Sequence, residues 1–394
     1  MRLNGMGLSG ERDERVGRLE RLLVGSRERD PGIDFLRACA ILLVMVRHFL
    51  DRNPKYDPFI PDFISKPGLF GWAGVDLFFV LSGYLIFSII FREEERGTFH
   101  WFHFYTKRAL RIWPAYYFSL FVCAVLGIFE LRLVDYWPFL LFIQNYFETL
   151  PNLNGGVYWS LAVEEHFYLI APALLMSTAL FKQWRLQILI CLVLIPLWIR
   201  TYVYFFQADS VWHFYVYLYF PTHCRFDTIA TGVLCAYLLK FRQDIVRIIA
   251  PWLPFIAGSL FLLATISTES LSRYEQLPSA NGGVVGFSAV ALFFGSIVML
   301  SQTHRLFDRL GRGIFRLFAY LSYSMYLYHI IALHYLEVLF GNGPAGPFKI
   351  SLHAICFLLF TTLLGAVSYF GIERYFLTMK QRLIQKWSSP APAG

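Results

Sequence analysis

The sequence predicts an all-α fold: a polytopic integral membrane protein with about ten transmembrane helices and both termini in the cytoplasm. Three observations lead to this prediction. Of the 394 residues, 57% are hydrophobic and only 16% are charged, whereas soluble domains are about 25% charged. Ten apolar segments have about the 20 residues needed to cross a bilayer. Lysine and arginine are concentrated in alternate connections between these segments, as expected for loops on the inner side of a membrane.

The ten segments define one transmembrane domain, residues 31–378, between a charged cytoplasmic tail at 1–30 and a cytoplasmic tail at 379–394. Two further apolar stretches, 137–147 and 211–220, are too short to span alone. They are rich in aromatic residues, so we expect them to be interfacial or re-entrant. The predicted spans are residues 33–50, 72–92, 109–129, 158–180, 186–206, 221–239, 248–267, 282–301, 315–337 and 350–373.

Charge distribution predicts the orientation. With the N-terminus inside, the inner tails and loops hold 25 Lys and Arg residues and the outer loops hold seven. This bias supports both the count and the direction of the spans. It also accounts for the net charge of +8 through attraction to the inner leaflet, without a nucleic-acid partner. The six cysteines show no spacing typical of a metal site.

The first apolar segment carries charged groups that a bilayer normally excludes. A charge at the centre of a membrane helix costs roughly 2.5–3.5 kcal/mol on insertion scales, so such residues are functional hypotheses by default. Arg37 and His48 stand eleven positions apart, on one face of a helix and about 16 Å from each other. We expect this face to line a polar pathway, with Arg37 near its inner end and His48 near its outer end.

Other predicted helices place polar groups at two depths. The adjacent Glu164 and Glu165 point about 100° apart on a helix, so we expect only one of them to face inward. The predicted outer group comprises His48, Asp76, one of the two glutamates, Arg225 and His329, and the inner group comprises Arg37, Arg108 and Arg111.

Each group has a simpler explanation. Arg225 and Asp227 can form a structural ion pair, and His329 can be a packed core histidine. Arg108 and Arg111 can be anchors at the positive inner end of a helix. The presence of five acidic, basic and histidine groups at one depth on separate helices favours a functional site.

An ordered set of motifs over about residues 31–378 resembles the membrane-bound acyltransferase-3 family. This family comprises integral-membrane enzymes that move acetyl or other acyl groups onto sugars and related molecules. Each motif alone is weak, but their order is specific. The motifs are IDFLRACAILLVMVRHF with its Arg-x10-His pair, GWAGVDLFFVLSGYLI, FYTKRALRIWPAYYF with its Arg-x-x-Arg pair, VYWSLAVEEHFYL, RFDTIATGVL, LSYSMYLYH and SYFGIERYF.

The resemblance implies a ten-helix acyltransferase body. It implies functional roles for the first-helix pair, Arg37 and His48, and acyl-donor handling for Arg108 and Arg111. One departure is His166, which follows the two glutamates where many relatives have glutamine or another residue.

The sequence thus predicts transfer of an acyl group, acetyl by preference, from acyl-CoA to a hydroxyl of a carbohydrate, glycolipid or small-metabolite acceptor. The predicted location is the plasma (inner) membrane, and no metal is required. His48 is the predicted general base, and a carboxylate can orient its ring. An arginine can stabilise the oxyanion of the thioester. The catalytic candidates are His48, Glu165, Asp76 and Arg37, and the donor-binding candidates are Arg108, Arg111, Arg225 and Tyr326.

A transporter is the alternative class, for example a proton-coupled exporter of a lipid-linked sugar or small molecule. Buried acidic, basic and histidine side chains suit a proton relay equally well. Transporters often contain inverted repeats with broken helices in matching halves, and the sequence shows no such symmetry.

Overall fold

The computed structural model describes residues 29–61, 68, 70–129, 131–147, 157–269, 277–341 and 346–388, and all regular elements in these ranges are helical. Most of the predicted N-terminal tail and the last six residues lie outside the described ranges. We number the helices of 15 or more residues in chain order. They are α1 Pro31–Arg52, α2 Gly74–Glu95, α3 Trp101–Val125, α4 Tyr158–Leu180, α5 Arg185–Phe206, α6 Thr222–Phe241, α7 Leu253–Thr268, α8 Phe287–His304, α9 Ile314–Phe340, α10 Pro347–Ser368 and α11 Arg374–Ser388.

Each of the ten predicted segments coincides with one of the helices α1–α10. The largest difference is at α3, which begins at Trp101 and ends at Val125 instead of covering 109–129. The end is set by Gly127, whose φ of 64° is left-handed and whose N–H donates to the carbonyl of Ala124. This is a glycine-terminated helix end of the Schellman type, which hydropathy alone does not detect.

Five helical stretches are long and apolar enough to cross a membrane, by length and composition, among the described residues. They contain α2, α5, α7, α8 and α10. The helices α1, α3, α4, α6 and α9 are also 20 to 27 residues long, about 30 Å or more, and they carry the polar groups of the bundle. The chain is therefore a helical membrane protein, and the count of ten spans and the position of the termini stay predictions.

Helices α2 and α6 lie at the centre of the bundle and touch through glycine. A Cβ atom added at Gly83 would lie 2.1 Å from the carbonyl oxygen of Ile229, and one added at Gly232 would lie 2.0 Å from that of Val80. Small residues at a helix crossing let two backbones approach closely, which is a recurrent means of packing in membranes.

We expect Gly232→Val to push α2 and α6 apart and to destabilise the protein by about 1–3 kcal/mol, the usual cost of overpacking. Thermal unfolding in detergent measures the effect. Gly258→Ala is the matched control, because this glycine of α7 has open space around its missing Cβ. An unchanged midpoint for Gly232→Val would show that the crossing is not tightly packed.

Helices α1 and α9 run in the same direction, side by side. Arg37 donates a hydrogen bond to Ser322 (3.2 Å), and further along Arg52 lies 3.7 Å from the carboxylate of Glu337. We call the end of the bundle where α1 begins the Arg29 end and the opposite end the Arg52 end. Between these two contacts, His48 lies 3.2 Å from His329 of α9, so both predicted functional residues of α1, Arg37 and His48, face α9.

The short stretch 137–147 folds back against the bundle. The Tyr116 hydroxyl of α3 donates to the carbonyl of Phe139 (2.8 Å), and the Gln144 amide donates to the carbonyl of Tyr158 (2.6 Å). Irregular backbone at membrane depth needs such partners from surrounding protein. The contacts fit the re-entrant alternative, which stays a prediction.

Candidate active site

A cavity of about 110 Å³ opens between α1, α2, α3, α4 and α9. It follows α2 from Ile86 to Val75, eleven residues, which is about 16 Å of helix. Its walls are polar on the α1, α3 and α4 sides and mainly apolar along α2. The polar lining comprises Arg37, Ser82, Arg108, Arg111, Ser160, Glu164, Tyr168, Ser322, Tyr323 and Tyr326.

Three arginines of the cavity have no carboxylate partner among the described residues. Arg37 is held only by Ser322, and its Nε is buried without a hydrogen-bond partner, as is the Nε of Arg108. Arg111 lies close enough to Arg37 for their charges to repel. Buried guanidinium groups are normally paired, whereas here the carboxylates of Asp34 and Glu164 attract Arg37 without an ion pair to it among the described residues, so the cluster keeps N–H donors without a partner.

Glu164 is the acidic group of the cavity. Its carboxylate accepts hydrogen bonds from Ser82 (2.9 Å) and from Tyr168 (2.8 Å). Glu165 is not part of the cavity lining and accepts a hydrogen bond from the Trp113 indole (3.2 Å). One glutamate faces inward, as expected, but it is Glu164 and not the Glu165 chosen from the sequence.

His48 lies at the level of the far end of the cavity and contacts a second histidine. Its Nδ1 lies 3.0 Å from the carbonyl of Val44 and 3.2 Å from Nε2 of His329. Nδ1 of His329 lies 2.8 Å from the carbonyl of Tyr326. The two imidazoles are tilted by 53°, with centroids 4.9 Å apart.

Tyr326 connects the cavity with the histidine pair. Its side chain lines the cavity, and its hydroxyl lies 2.5 Å from the Ser160 hydroxyl and donates to the carbonyl of Val157 (2.9 Å). Its own carbonyl holds His329. The cavity therefore extends from the arginines to within about one helical turn of His48.

Asp76 and Arg225 lie in a separate buried network behind the cavity. Arg225 donates to Asp76 (2.6 Å), and Arg200 donates to Asp227 (2.7 Å). All four side chains are fully buried, and the Arg225 guanidinium lies over the ring of Phe287 at 4.1 Å. The two ion pairs join α2 and α5 to α6, and Phe287 adds α8 to the network. The convergence of Asp76 and Arg225 on His48 that the sequence suggested is therefore not what the structure contains.

We expect Asp76→Asn to leave Arg225 buried without its counter-charge and to cost about 3–5 kcal/mol of stability. The double variant Asp76→Asn/Arg225→Gln is expected to recover part of the loss. Lys240→Gln is the control, because its pair with Glu95 is solvent-exposed and such pairs contribute about 0–1 kcal/mol. An Asp76→Asn protein with wild-type stability and no activity would restore Asp76 as a catalytic candidate.

The comparisons agree with the motifs. A model of the acyltransferase domain matches residues 30–370. The chain belongs to the acyltransferase-3 family. It is 28% identical over 369 residues to the O-acetyltransferase OatA of Staphylococcus aureus strain NCTC 8325 / PS 47. The same identity holds for OatA of strain COL. Each alignment covers 87% of this chain and 56% of the relative, so the chain spans about half the length of these curated relatives.

No solved structure matches the chain.

The acyltransferase-3 motif residues divide between the two ends of the cavity. Arg37, Arg108 and Arg111 line it near the Arg29 end, and His48 stands beyond its other end. The distance along α1 makes Arg37 a neighbour of the other arginines and not of His48.

Family membership favours an enzyme over the transporter alternative. Among the described residues, no group of three or more His, Cys, Asp and Glu side chains could hold a metal ion.

Sequence reasoning missed several residues of this acyltransferase-3 site. Tyr168 stands one turn after Glu164, a spacing that could have indicated a contact. The partnership of Ser160 with Tyr326 has no local signal, because the residues are 166 positions apart. Outside the cavity, Arg200 is one of the seven Lys and Arg residues that the charge count assigns to the outer loops, yet it is fully buried and bonded to Asp227.

Proposed function

We propose that the protein transfers an acetyl group from acetyl-CoA to a hydroxyl of a carbohydrate-containing acceptor at the plasma membrane. The observation that carries the proposal is a cavity lined at one end by arginines without a carboxylate partner among the described residues, with His48 beyond its other end, in a member of an acyltransferase family. The names of the relatives, which are O-acetyltransferases, support acetyl as the group transferred and a hydroxyl as the acceptor.

The arginine end suits the phosphates of the donor. Guanidinium groups bind phosphate oxygens through paired N–H donors, and Arg108 and Arg111 stand three residues apart on α3, on one face. Arg37 completes the cluster from α1. In this proposal Arg37 binds donor instead of stabilising an oxyanion beside His48. The Arg29 end then faces the cytoplasm, where coenzyme A is made, in agreement with the predicted orientation.

The length of the cavity suits the pantetheine arm. The apolar wall along α2, with Phe78, Phe79 and Val75, accepts a chain without charge. An arm that follows this wall carries the thioester away from the arginines and towards His48. Burial of the arm excludes water, which protects the thioester from hydrolysis and strengthens electrostatic interactions around it.

His48 then acts as general base and later as general acid. Its Nε2 takes the proton of the acceptor hydroxyl as the hydroxyl oxygen attacks the thioester carbon. The carbon–sulfur bond breaks, the acetyl group becomes an oxygen ester, and the coenzyme A thiolate receives the proton from His48. No other co-reactant is needed.

The proposal is tested by coenzyme A release from acetyl-CoA, with purified protein in lipid vesicles and glycan fractions from the cell envelope of the host. We expect glycan-dependent release together with acetyl esters on the glycan that mild alkali removes. Release without any acetylated product from well-folded protein, or no release with any acyl-CoA and any fraction, would contradict it.

A further inference from the structure

The histidine pair has a hydrogen-bonding pattern that determines where its protons lie. A carbonyl oxygen only accepts, so the Nδ1 of His329, 2.8 Å from the Tyr326 carbonyl, carries a hydrogen. In a neutral imidazole the other nitrogen is then a bare acceptor. This acceptor, Nε2 of His329, lies 3.2 Å from Nδ1 of His48.

The contacts of His48 lead to the same assignment independently. Its Nδ1 lies 3.0 Å from the carbonyl of Val44, which also requires a hydrogen on that nitrogen. One N–H of His48 is thus shared between the Val44 carbonyl and His329. The remaining nitrogen, Nε2 of His48, carries the lone pair and has no hydrogen-bond partner among the described residues. The ring is half-buried.

We propose that His329 is the positioning residue of the proposed acyltransferase: it holds His48 in the Nδ1–H tautomer and thereby presents Nε2 as the base. A neutral imidazole here takes the place that a carboxylate occupies behind the base of a Ser-His-Asp triad, where the partner fixes tautomer and orientation. The inference rests on the proposed function, since it assigns His48 as the base of that reaction.

The surroundings explain why the partner is a histidine. Neither ring has a carboxylate within hydrogen-bonding distance among the described residues, and the nearest charges are the guanidinium groups of Arg47 and Arg52. These guanidiniums pair with Asp51 (2.8 Å) and with Glu337 (3.7 Å). When His48 takes the proton from the acceptor, its Nδ1–H still points at a neutral acceptor. The second histidine therefore orients the base without leaving a buried carboxylate ion beside it.

The test compares His329→Gln with His329→Phe. A glutamine side-chain oxygen reaches the place of Nε2 and can accept from His48, whereas phenylalanine fills the space without an acceptor. We expect His329→Gln to retain most of the kcat for acetyl transfer. We expect His329→Phe to lose about 10²-fold or more with an unchanged KM for acetyl-CoA. His353→Phe is the control, because His353 is fully buried on α10 and bonded to Tyr56 but lies away from the cavity.

A spectroscopic measurement decides the tautomer without any acceptor substrate. Protein labelled with ¹⁵N-histidine in lipid nanodiscs is examined by solid-state NMR, with His48→Asn to assign the signals. We expect a protonated Nδ1 and a bare Nε2 for His48, with a Nδ1 shift that changes in His329→Phe but not in His353→Phe. A protonated Nε2, or equal losses of kcat in His329→Gln and His329→Phe, would overturn the inference. Absence of transfer by the wild type would count against the proposed function, and the spectrum would still decide the histidine pair.

Discussion

His48→Ala is expected to abolish acetyl transfer while leaving the protein folded, inserted and able to bind acetyl-CoA. The physical reason is that Nε2 of His48, beyond the end of the cavity, has no hydrogen-bond partner among the described residues, and general-base catalysis contributes about 10²–10⁴-fold. Initial rates of acetyl ester formation and equilibrium binding of labelled acetyl-CoA measure the two properties separately.

His334→Ala is the matched control for this prediction. His334 is a half-buried histidine on α9 that lies outside the cavity lining and does not contact His48. We expect its rate to stay near that of the wild type. Activity retained by a well-folded His48→Ala protein would show that His48 is not the general base. It would also contradict the proposed catalytic role of the polar face of α1.

Arg111→Gln is expected to raise the KM for acetyl-CoA by about 10- to 100-fold, because one charge-assisted hydrogen bond contributes about 1.5–3 kcal/mol. The kcat at saturating donor is expected to change little. Stability is expected to be unchanged or improved, since the substitution removes repulsion between Arg111 and Arg37. A loss of function accompanied by a gain of stability is typical of binding residues.

Lys107→Gln is the control for the arginine variant. Lys107 lies on the same turn of α3 but pairs with Glu93 (2.9 Å) outside the cavity. If the arginines were only anchors at the positive end of a helix, both substitutions would lower insertion equally and neither would change the KM for acetyl-CoA. That result would contradict the assignment of the donor site.

Local patterns in the sequence predicted the first helix well. The spacing of Arg37 and His48 places both on one face of α1, and that face does contact α9. Helical periodicity carries such information because a helix has a known angle and rise per residue. The ten apolar segments were predictable from their length. A helix that crosses a bilayer needs about 20 apolar residues, because its backbone has to satisfy its own hydrogen bonds in lipid.

Choices that depend on helix rotation and on distant partners were not predictable. Glu164 and Glu165 are neighbours, and only the packing of α4 decides which of them faces the cavity. Asp76 and Arg225 are 149 positions apart, and a sequence shows their types but not their pairing. The sequence placed His329 at the same depth in the membrane as His48. Its contact with His48, however, depends on how far α9 is shifted along its axis relative to α1, which the sequence does not show.

The central claim is that the arginine cluster and His48 are the two ends of one donor path. It is tested most directly by an experimental structure of the protein in nanodiscs with a stable ketone analogue of acetyl-CoA. The account predicts phosphate oxygens within hydrogen-bonding distance of Arg108 and Arg111. It also predicts a carbonyl carbon within about 5 Å of His48 Nε2, which leaves room for one hydroxyl oxygen between them. An analogue bound outside the cavity, or one whose carbonyl carbon stays among the arginines, would contradict the claim.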